Sequence, residues 1–351
     1  MTKQRIRWGI LGAGQIATVF CNALRFSSTG SLAAIASLDL RRSKQLAELF
    51  NCPKYYANYD DLVKDRDIDA VYIANLNVDH AGCAILAASH GKHILVEKPI
   101  ATQLRDIETM FDAANASKVL LLEGFMYRYH PQLVKVKELI QSGKLGQITT
   151  LSSSFGYNGP KDPTHRVYQK DQGGGAILDV GCYTMSMARY LAQIILDDTA
   201  LVPMEIRAFG ESKNGVDVHS TAIVKFSEEL SAHLTTSLLI DLPNQTTILG
   251  TEGTLTIPQP WLPSSPCRFA KKPLVTISSF PQAHLHLSYS KDMEQVHEIY
   301  SISVDKDLFS YEIDYFTQAI LQGLNNDLSY QESFNNFQAL EIWKQQIKDI
   351  D

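Results

Sequence analysis

The sequence predicts an α/β protein in which an N-terminal doubly wound parallel sheet precedes a C-terminal α+β region with an open, mostly antiparallel sheet. Short apolar runs alternate with helical patterns up to about residue 123, and this alternation is typical of a parallel sheet. After Gly143, strand-like runs follow one another without intervening helices, which indicates antiparallel pairing. We therefore expect two domains, residues 1–124 and residues 125–351.

The individual elements follow from apolar runs and turn residues. The runs of the parallel region are residues 6–11, 32–37, 70–74, 93–96 and 119–122. The strands of the second region are residues 147–157, 205–209, 221–226, 232–239 and 246–257. A proline-rich loop is predicted at 258–272, a helix over 308–321 that ends at Gly323, and a last helix opened by a capping box at 329–332.

Composition excludes several classes of partner. The 351 residues carry a formal net charge of −6, which disfavours nucleic acid and anionic membranes because these select for concentrated Lys and Arg. The five cysteines are widely spaced and form no C-x-x-C pair, so neither a disulfide framework nor a metal site is indicated. This cysteine usage fits a reducing cytoplasm.

A secretory signal is the alternative for the N-terminus. Three basic residues precede an uncharged run at 8–24, and the Ala-Ile-Ala at 34–36 imitates a cleavage site. Gly12 and Gly14 interrupt the apolar character of that run and disfavour this interpretation. No other stretch is apolar over the roughly 20 residues that a membrane-spanning helix needs.

The first apolar run leads into a glycine-rich pattern. Residues 8–17 read W-G-I-L-G-A-G-Q-I-A, which is a strand followed by G-x-G-x-x-A and a helix. Gly12 permits the tight turn, and Gly14 lets the backbone approach a pyrophosphate at the helix N-terminus. A plain tight turn is the simpler alternative, but the position after the first strand favours a dinucleotide site. Its predicted cofactor-binding residues are Gly12, Gly14, Gln15 and Ile16.

The end of the second strand indicates which dinucleotide binds. An acidic residue at the strand tip binds the 2′-hydroxyl of NAD, whereas a non-acidic tip followed by arginine favours the 2′-phosphate of NADP. Ser37 is the tip residue, and Asp39 lies two positions beyond it. NADP(H) is therefore favoured, with Arg41 or Arg42 on the phosphate and Ser37 and Leu38 beside the ribose, and NAD(H) is the alternative. Two solvated arginines that open the next helix are the plainer interpretation.

Two further segments carry groups suited to proton transfer. Lys98 follows the run at 93–96, at the carboxyl edge where open α/β sheets bind ligands, and its ammonium can donate to an oxygen. After three glycines at 173–175, Asp179 and Tyr183 are four residues apart and therefore on one helix face. A tyrosine near a lysine and a carboxylate is a suitable acid/base for an alcohol. Taken singly, an exposed loop lysine and a packing tyrosine are plainer interpretations.

Taken in order, these segments resemble the glucose-fructose oxidoreductase/inositol dehydrogenase (Gfo/Idh/MocA) family over nearly the whole chain. The shared pieces are G-A-G at 12–14, N-L-N at 75–77 with His80, E-K-P at 97–99, G-F-M-Y-R-Y-H-P at 124–131, Arg166 before the glycines, and D-x-G-x-Y at 179–183. Tyr183 and the M-Y-R-Y-H-P segment are most similar to the branch of dihydrodiol dehydrogenases and NADP-dependent xylose dehydrogenases.

The resemblance implies a Rossmann domain followed by a sheet domain whose outer face forms a homodimer or homotetramer. It implies that Lys98, Asp179 and Tyr183 carry catalysis, and that a cis peptide bond precedes Pro99. It also places the following residues beside the cofactor or substrate: Asn75, Leu76, Asn77, His80, Glu97, Lys98, Arg128 and Arg166. Two positions depart from the family pattern, since Leu76 replaces a common proline and Leu38 a common arginine of NADP-using relatives.

The leading hypothesis is a cytoplasmic NAD(P)-dependent dehydrogenase or reductase that prefers NADP(H) and acts on a sugar, polyol or trans-diol. Tyr183 would be the general acid/base, Lys98 would favour its phenolate and bind the reacting oxygen, and Asp179 would orient the pair. The candidate substrate-binding residues, for which core packing is the alternative role, are Phe155, Tyr157, His165 and Trp261.

Two other hypotheses compete with this one. The first is a catalytically silent cofactor-binding regulator, since a fold does not determine its function. The second is a reductase of a non-carbohydrate carbonyl, such as a tetrapyrrole or an imine.

Overall fold

The computed structural model describes residues 5–265 and 279–347, which form two compact units. The first unit consists of the described residues within 1–130, 264–281 and 303–333. The second consists of those within 131–263, 282–302 and 334–351. Each unit therefore draws on three separate stretches of the chain.

A parallel sheet forms the centre of the first unit. Its strands are β1 (Ile6–Leu11), β2 (Gly30–Ala36), β3 (Lys54–Tyr56), β4 (Ala70–Ile73), β5 (His93–Glu97) and β6 (Leu121–Gly124). They lie in the order β3-β2-β1-β4-β5-β6 and all pair in parallel, which confirms the predicted doubly wound sheet. The strand order reverses between β1 and β4, the switch point at which such sheets bind ligands. The sequence patterns missed β3 because three residues carry too little periodicity.

An open sheet forms the centre of the second unit. Its strands are β7 (Ile148–Gly156), β8 (Glu205–Lys213), β9 (Val216–Lys225), β10 (Ser231–Ser237), β11 (Thr246–Gly250), β12 (Gly253–Ile257), β13 (Ala283–Lys291) and β14 (Glu294–Ile302). The order is β14-β13-β12-β11-β7-β10-β9-β8, with β7 and β10 parallel and the other neighbours antiparallel. The predicted open, mostly antiparallel sheet is confirmed.

Two details of the predicted strands were wrong. Residues 246–257 form the hairpin β11–β12 and not one strand, and β13 and β14 were not predicted. The hairpin turn is flanked by Gly250 and Gly253, whose Cβ atoms would lie 2.0 Å from the Leu145 carbonyl oxygen and 2.8 Å from that of Lys144. These two glycines were the available sequence signal. The predicted loop at 258–272 lies partly outside the described residues, and residues 258–265 contain neither helix nor strand.

Helices connect and cover the two sheets. They are α1 (Gln15–Leu24), α2 (Leu40–Phe50), α3 (Tyr59–Lys64), α4 (His80–Ser89), α5 (Leu104–Ala116), α6 (Pro131–Gln141), α7 (Cys182–Leu196), α8 (Leu308–Leu321) and α9 (Asp327–Gln345). The predicted end of the 308–321 helix is confirmed, because Gly323 follows α8 with φ +64°. Within the described ranges, no helix has both the length and the apolar character needed to cross a bilayer.

The predicted capping box was wrong. Helix α9 begins at Asp327, two residues before the proposed cap Ser329. The Ser329 hydroxyl donates to the Leu121 carbonyl at 2.6 Å, and Glu332 forms a 2.8 Å ion pair with Arg128. Tertiary partners thus take both side chains that the sequence pattern assigned to capping.

An aromatic cluster explains why a C-terminal helix belongs to the first unit. The Phe20 ring of α1 stacks on Tyr72 of β4 with 3.7 Å between centroids, and Trp8 of β1 lies 5.3 Å from Phe20. Phe316 of α8 completes the cluster 5.2 Å from Trp8. Burial of such large rings is the main favourable contribution to folding, so α8 is fixed to this sheet despite its distance along the chain.

Candidate functional site

The glycine-rich turn after β1 is shaped to admit a pyrophosphate. Gly12 has φ +116°, and its Cβ would lie 2.6 Å from the Ala74 carbonyl oxygen, so this position requires glycine. Gly14 precedes α1 without any side-chain cap, and a Cβ built on it meets no atom within 4 Å. The first amides of α1, which belong to Gln15 and Ile16, therefore have no cap from the Gly14 position. Such a helix start binds anions, so these residues fit a dinucleotide.

Arg41 is occupied by its own helix. Asp39 caps α2 by accepting from the Arg41 N–H at 2.9 Å, and its carboxylate accepts from Arg41 Nε at 3.2 Å and Nη2 at 3.1 Å. Hydrogen bonding by Arg41 lowers the pKa of Asp39. Asp39 is therefore an ionised helix cap.

Arg42 is placed differently from Arg41. Its Nη2 donates to the Ala13 carbonyl at 3.0 Å, so the guanidinium lies against the glycine-rich turn. Ser37, which directly follows β2, is buried and accepts from the Asp39 N–H at 3.2 Å. Leu38 beside it is 73% exposed. Of the two candidate phosphate partners, Arg42 is the one in contact with the glycine-rich turn.

The segment after β4 combines exposed and enclosed residues. Asn75 donates to Cys83 Sγ at 3.1 Å, while Leu76 is 40% exposed. Asn77 begins a short 3₁₀ turn, Asn77–Asp79, which leads into α4. This segment lies at the carboxyl edge of the sheet, next to Gly12 across the switch point.

His80 supports the turn that carries Lys98. The imidazole is fully buried, and its Nδ1 donates to the Pro99 carbonyl at 3.0 Å. Burial lowers the pKa of His80 to about 4, so the ring is neutral. Because the ring is enclosed, its observed role is to hold the Pro99 backbone, and contact with a cofactor stays a prediction.

The E-K-P segment begins at Glu97, the last residue of β5, and the predicted cis bond before Pro99 is confirmed. Glu97 accepts from the Tyr72 hydroxyl and is buried, whereas Lys98 is half-buried. Sequence reasoning missed a second buried carboxyl group nearby, Glu312 of α8. Burial and the charge of Glu97 raise the pKa of Glu312 well above its ordinary value.

Arg128 is held within the first unit by an acid. Its Nη1 lies 2.8 Å from Glu332 Oε2, and both side chains are 16% exposed. The guanidinium also lies 5.8 Å from the centroid of the Phe125 ring. Its predicted contact with a ligand is not tested by these partners and stays a prediction.

In the second unit, Asp179 has two donors. It lies in a π-helical turn, Ile177–Gly181, that leads into α7. The Tyr157 hydroxyl donates to Asp179 Oδ2 at 2.6 Å, and Arg166 Nη2 lies 3.3 Å from Oδ1. Burial and the Asp179 charge raise the pKa of Tyr157. Tyr157 is therefore a neutral donor to the Asp179 carboxylate.

Tyr183 lies in the first turn of α7, against two aromatic rings. Its centroid is 5.3 Å from that of Phe155 and 5.8 Å from that of Trp261, and these two stack on each other at 5.5 Å. The Trp261 indole N–H donates to the Ser154 carbonyl at 3.2 Å, which fixes the orientation of its ring. The structure thus brings three predicted site residues into one aromatic cluster.

His165 has a local role. It is exposed, and its Nδ1 accepts from the Val167 N–H at 3.4 Å, so it caps the short turn that presents Arg166.

Lys98 belongs to the first unit, and Asp179 and Tyr183 belong to the second. Among residues 5–265 and 279–347, no group of three or more His, Cys, Asp or Glu side chains is arranged to hold a metal ion.

An open glycine-rich helix start at the switch point, together with the paired acid and tyrosine, defines a nucleotide-dependent oxidoreductase. The chain belongs to the GFO/IDH/MocA family. Residues 6–125 match the family model of the oxidoreductase family with an NAD-binding Rossmann fold, and residues 133–256 match that of the GFO/IDH/MocA C-terminal domain.

Named relatives and solved structures agree with this assignment. A trans-1,2-dihydrobenzene-1,2-diol dehydrogenase of Xenopus tropicalis is 32% identical over 74% of this chain and 77% of its own, and the Homo sapiens protein of that name is 28% identical over 74% and 76%. KijD10, a 3-ketoreductase from Actinomadura kijaniata in complex with TDP-benzene and NADP, is 26% identical over 99% of both chains with a TM-score of 0.81. An aldose-aldose oxidoreductase from Caulobacter crescentus shares the fold, with 21% identity over 98% of this chain and 97% of its own and a TM-score of 0.80.

Proposed function

We propose that this NAD(P)-dependent oxidoreductase uses NADP(H) to interconvert a carbinol and a carbonyl on a sugar, polyol or trans-diol. When bound, the nicotinamide accepts or donates the hydride. The observation that carries the proposal is the uncapped start of α1 at Gly14, with the Arg42 guanidinium on the same turn. That arrangement offers amide donors to a pyrophosphate and a cation to an additional phosphate.

The preference for NADP(H) rests on the charges around β2. Asp39 is engaged by Arg41 and by the helix that it caps, which disfavours a contact between its carboxylate and a ribose 2′-hydroxyl. Arg42 contacts the glycine-rich turn through the Ala13 carbonyl. The 3-ketoreductase neighbour was solved with NADP, which supports this choice.

Three side chains are proposed to carry the reaction. Tyr183 would exchange the proton of the substrate hydroxyl, Asp179 would orient it, and Lys98 would bind the oxygen at which charge develops. The 3-ketoreductase has been crystallised with a tyrosine replaced by phenylalanine and with a lysine replaced by alanine, which are the two residue types proposed here. General acid–base groups of this kind contribute about 10²–10⁴-fold to a rate.

The substrate class rests on the surroundings of Tyr183. Phe155 is half-buried and stacks on Trp261, so its ring offers a flat apolar surface, and the Asp179–Tyr157 pair offers charged and polar atoms for hydroxyl groups. Ring carbons with neighbouring hydroxyls present both kinds of surface, as in sugars and trans-diols. The relatives named as dihydrodiol dehydrogenases support this class.

A panel of substrates tests the proposal. Purified protein is mixed with NADP⁺ or NAD⁺ and with xylose, glucose, inositol or trans-cyclohexane-1,2-diol, and the reduced nicotinamide is followed by absorbance. We expect turnover with at least one hydroxylated compound and a higher kcat/KM with NADP⁺. Tight NADPH binding without turnover of any compound would contradict the proposal and favour a regulator. A second assay supplies NADPH and a carbonyl without hydroxyl groups, such as cyclohexanone, and turnover of that compound alone would contradict the substrate class.

We also propose assembly into a homodimer or homotetramer through the outer face of the second sheet. One row of paired residues crosses this face from β8 to β14, and its members are Arg207, Ile223, His233, Ser152, Thr247, Thr256, His286 and Ile299. Ile223 and Ile299 are 51% and 70% exposed, and Phe209 beside this row is 82% exposed. Such a flat face with exposed apolar residues suits a second copy. Light scattering of the wild type and of Phe209→Glu tests it, and an unchanged mass in the variant would contradict it.

A reducing cytoplasm is the proposed location. Cys21, Cys52, Cys83 and Cys182 are free thiols in the structure, which suits that compartment. Cys267 lies outside the described residues. Fractionation of cells that express the tagged protein tests the location.

A further inference from the structure

The peptide unit between Ala176 and Ile177 is held at both of its polar groups by side chains of neighbouring strands. Asp217 of β9 accepts from the Ile177 N–H through Oδ2 at 2.6 Å. Thr236 of β10 donates its hydroxyl to the Ala176 carbonyl at 3.0 Å. Asp217 is 3% exposed and Thr236 is fully buried, so water does not compete with either bond. We refer to Asp217 and Thr236 as the peptide clamp.

The peptide clamp follows directly after a glycine-rich segment whose backbone has high conformational freedom. Residues 173–175 are three glycines, which lose the most conformational freedom on folding. Gly175 has φ +116°, and its Cβ would lie 2.5 Å from Asp217 Oδ1. The absence of a side chain at 175 therefore lets the Asp217 carboxylate reach the next peptide units.

The clamped peptide begins the π-helical turn that carries Asp179 and leads into α7, which carries Tyr183. The π-helical turn starts at Ile177, Asp179 is two residues further on, and Tyr183 is six residues further on. Single π-helical turns are rare and occur frequently at functional sites. A rotation of the first peptide of this turn would redirect both side chains together.

We propose that Asp217 and Thr236 are positioning residues for the reaction, which hold Asp179 and Tyr183 in their productive orientation through the Ala176–Ile177 peptide. This proposal rests on the proposed function, in which Tyr183 exchanges the proton. Neither clamp residue touches the reacting atoms in this assignment. Their effect on the rate is therefore transmitted entirely through the π-helical turn.

A double-mutant cycle separates positioning from a general effect on folding. Asp217→Ala is measured alone and combined with Tyr183→Phe, and kcat/KM is compared in both backgrounds. We expect Asp217→Ala alone to lower kcat/KM by about 10- to 100-fold, because small misplacements of a reacting group have effects of that size. In the Tyr183→Phe background the same change should cost less than about threefold, because the group being positioned is already gone.

Two further variants and a control variant complete the test of the peptide clamp. Thr236→Val removes the hydroxyl at nearly constant size and should repeat the pattern of Asp217→Ala, and Asp217→Asn retains an acceptor and should restore part of kcat/KM. The control is Ser310→Ala, which removes a buried hydroxyl of α8 that donates to the Ala23 carbonyl at 2.8 Å in the first unit. The control should leave kcat/KM within about twofold of the wild type, as expected for a site without shared partners.

The outcomes distinguish this proposal from the proposed function. If Asp217→Ala lowers kcat/KM by the same factor with and without the Tyr183 hydroxyl, the clamp proposal is wrong, whereas the proposed function is unaffected. Wild-type turnover of Tyr183→Phe would overturn the proposed function first. If Asp217→Ala does not fold, the cycle is run with Thr236→Val, and wild-type kcat/KM in that variant overturns the clamp.

Discussion

The hydroxyl of Tyr157 donates a 2.6 Å hydrogen bond to Oδ2 of Asp179, while Arg166 lies 3.3 Å from the other oxygen of the same carboxylate. Donors from two separate segments thus hold Asp179 in one orientation. The proton on Tyr157 is retained because burial and the carboxylate charge raise the pKa of this phenol.

Removal of the Tyr157 hydroxyl should weaken catalysis without unfolding the protein. A lost hydrogen bond to a charged group corresponds to about 1.5–3 kcal/mol, so we expect Tyr157→Phe to lower kcat by about 10- to 100-fold. Tyr289→Phe is the matched control, since that hydroxyl also donates to a carboxylate, Glu298, at 2.9 Å. Equal kcat values for the two variants would show that the Asp179 contact has no catalytic role.

Tyr183→Phe and Lys98→Met test the proposed proton transfer directly. Each should lower kcat by about 10²–10⁴-fold, the usual contribution of a positioned proton-transfer group. The dissociation constant for NADPH, measured by fluorescence, should stay within about threefold for Tyr183→Phe because the phenol acts on the substrate oxygen. Lys135→Met, which removes an ammonium paired with Glu138, is the control and should turn over normally. Near-normal turnover in both test variants would refute the assigned roles.

Arg42 and Arg41 should differ in their effect on cofactor choice. Arg42 contacts the glycine-rich turn, whereas Arg41 is paired with Asp39. We expect Arg42→Ala to weaken NADP⁺ binding by about 10- to 100-fold and to leave NAD⁺ binding nearly unchanged, because a charge-assisted bond to the 2′-phosphate is lost. Arg41→Ala is the matched control. Calorimetric titration with both nucleotides measures the result, and a larger loss in the control would move the phosphate site to Arg41.

Alanine at Gly14 should mainly reduce nucleotide binding, whereas alanine at Gly12 should mainly reduce the stability of the fold. A Cβ at Gly14 meets no atom within 4 Å, so the free energy of unfolding of Gly14→Ala should lie within about 1 kcal/mol of that of the wild type. The same variant should bind the nucleotide more weakly. A Cβ at Gly12 meets the Ala74 carbonyl and the φ is +116°, so Gly12→Ala should lose about 1–3 kcal/mol or more of stability. Denaturant titration and nucleotide titration of both variants provide the check. Unchanged nucleotide affinity in Gly14→Ala would argue against a pyrophosphate at this turn.

Acid sensitivity should arise in part from His80. Its pKa is lowered from 6.5 to about 4 in the folded protein, so the unfolded chain binds more protons between these values. The stability contributed by the neutral ring is fully present above pH 6.5 and is lost as the pH falls towards 4, by about 3 kcal/mol.

Urea unfolding at pH 7 and pH 4 tests this contribution. His80→Asn retains a donor for the Pro99 carbonyl and does not titrate, so its stability should decline less on acidification than that of the wild type. His284→Asn changes an exposed histidine and should decline as the wild type does. The same decline in all three proteins would rule out the His80 contribution.

Local sequence patterns determined most of what was predicted here. The parallel sheet, the open antiparallel sheet and the turn at Gly12 were predicted because each depends on periodicity or on a few adjacent residues, whereas the cis bond before Pro99 was implied by the family resemblance. Where the local signal was short or ambiguous, prediction failed, as it did for β3 and for the 246–257 hairpin.

The tertiary structure decided which of several chemically equivalent side chains takes which partner. The packing of Phe316 on Trp8, the pairing of Glu332 with Arg128 and the clamp of Asp217 and Thr236 all join residues that are distant in sequence. Such contacts form only when folding brings separate segments together. Hydrogen bonding and burial then determine which of several side chains of the same chemical type forms each contact. The amino-acid order therefore determined the elements and the candidate chemistry, whereas three-dimensional contacts decided how each charge and hydroxyl is held.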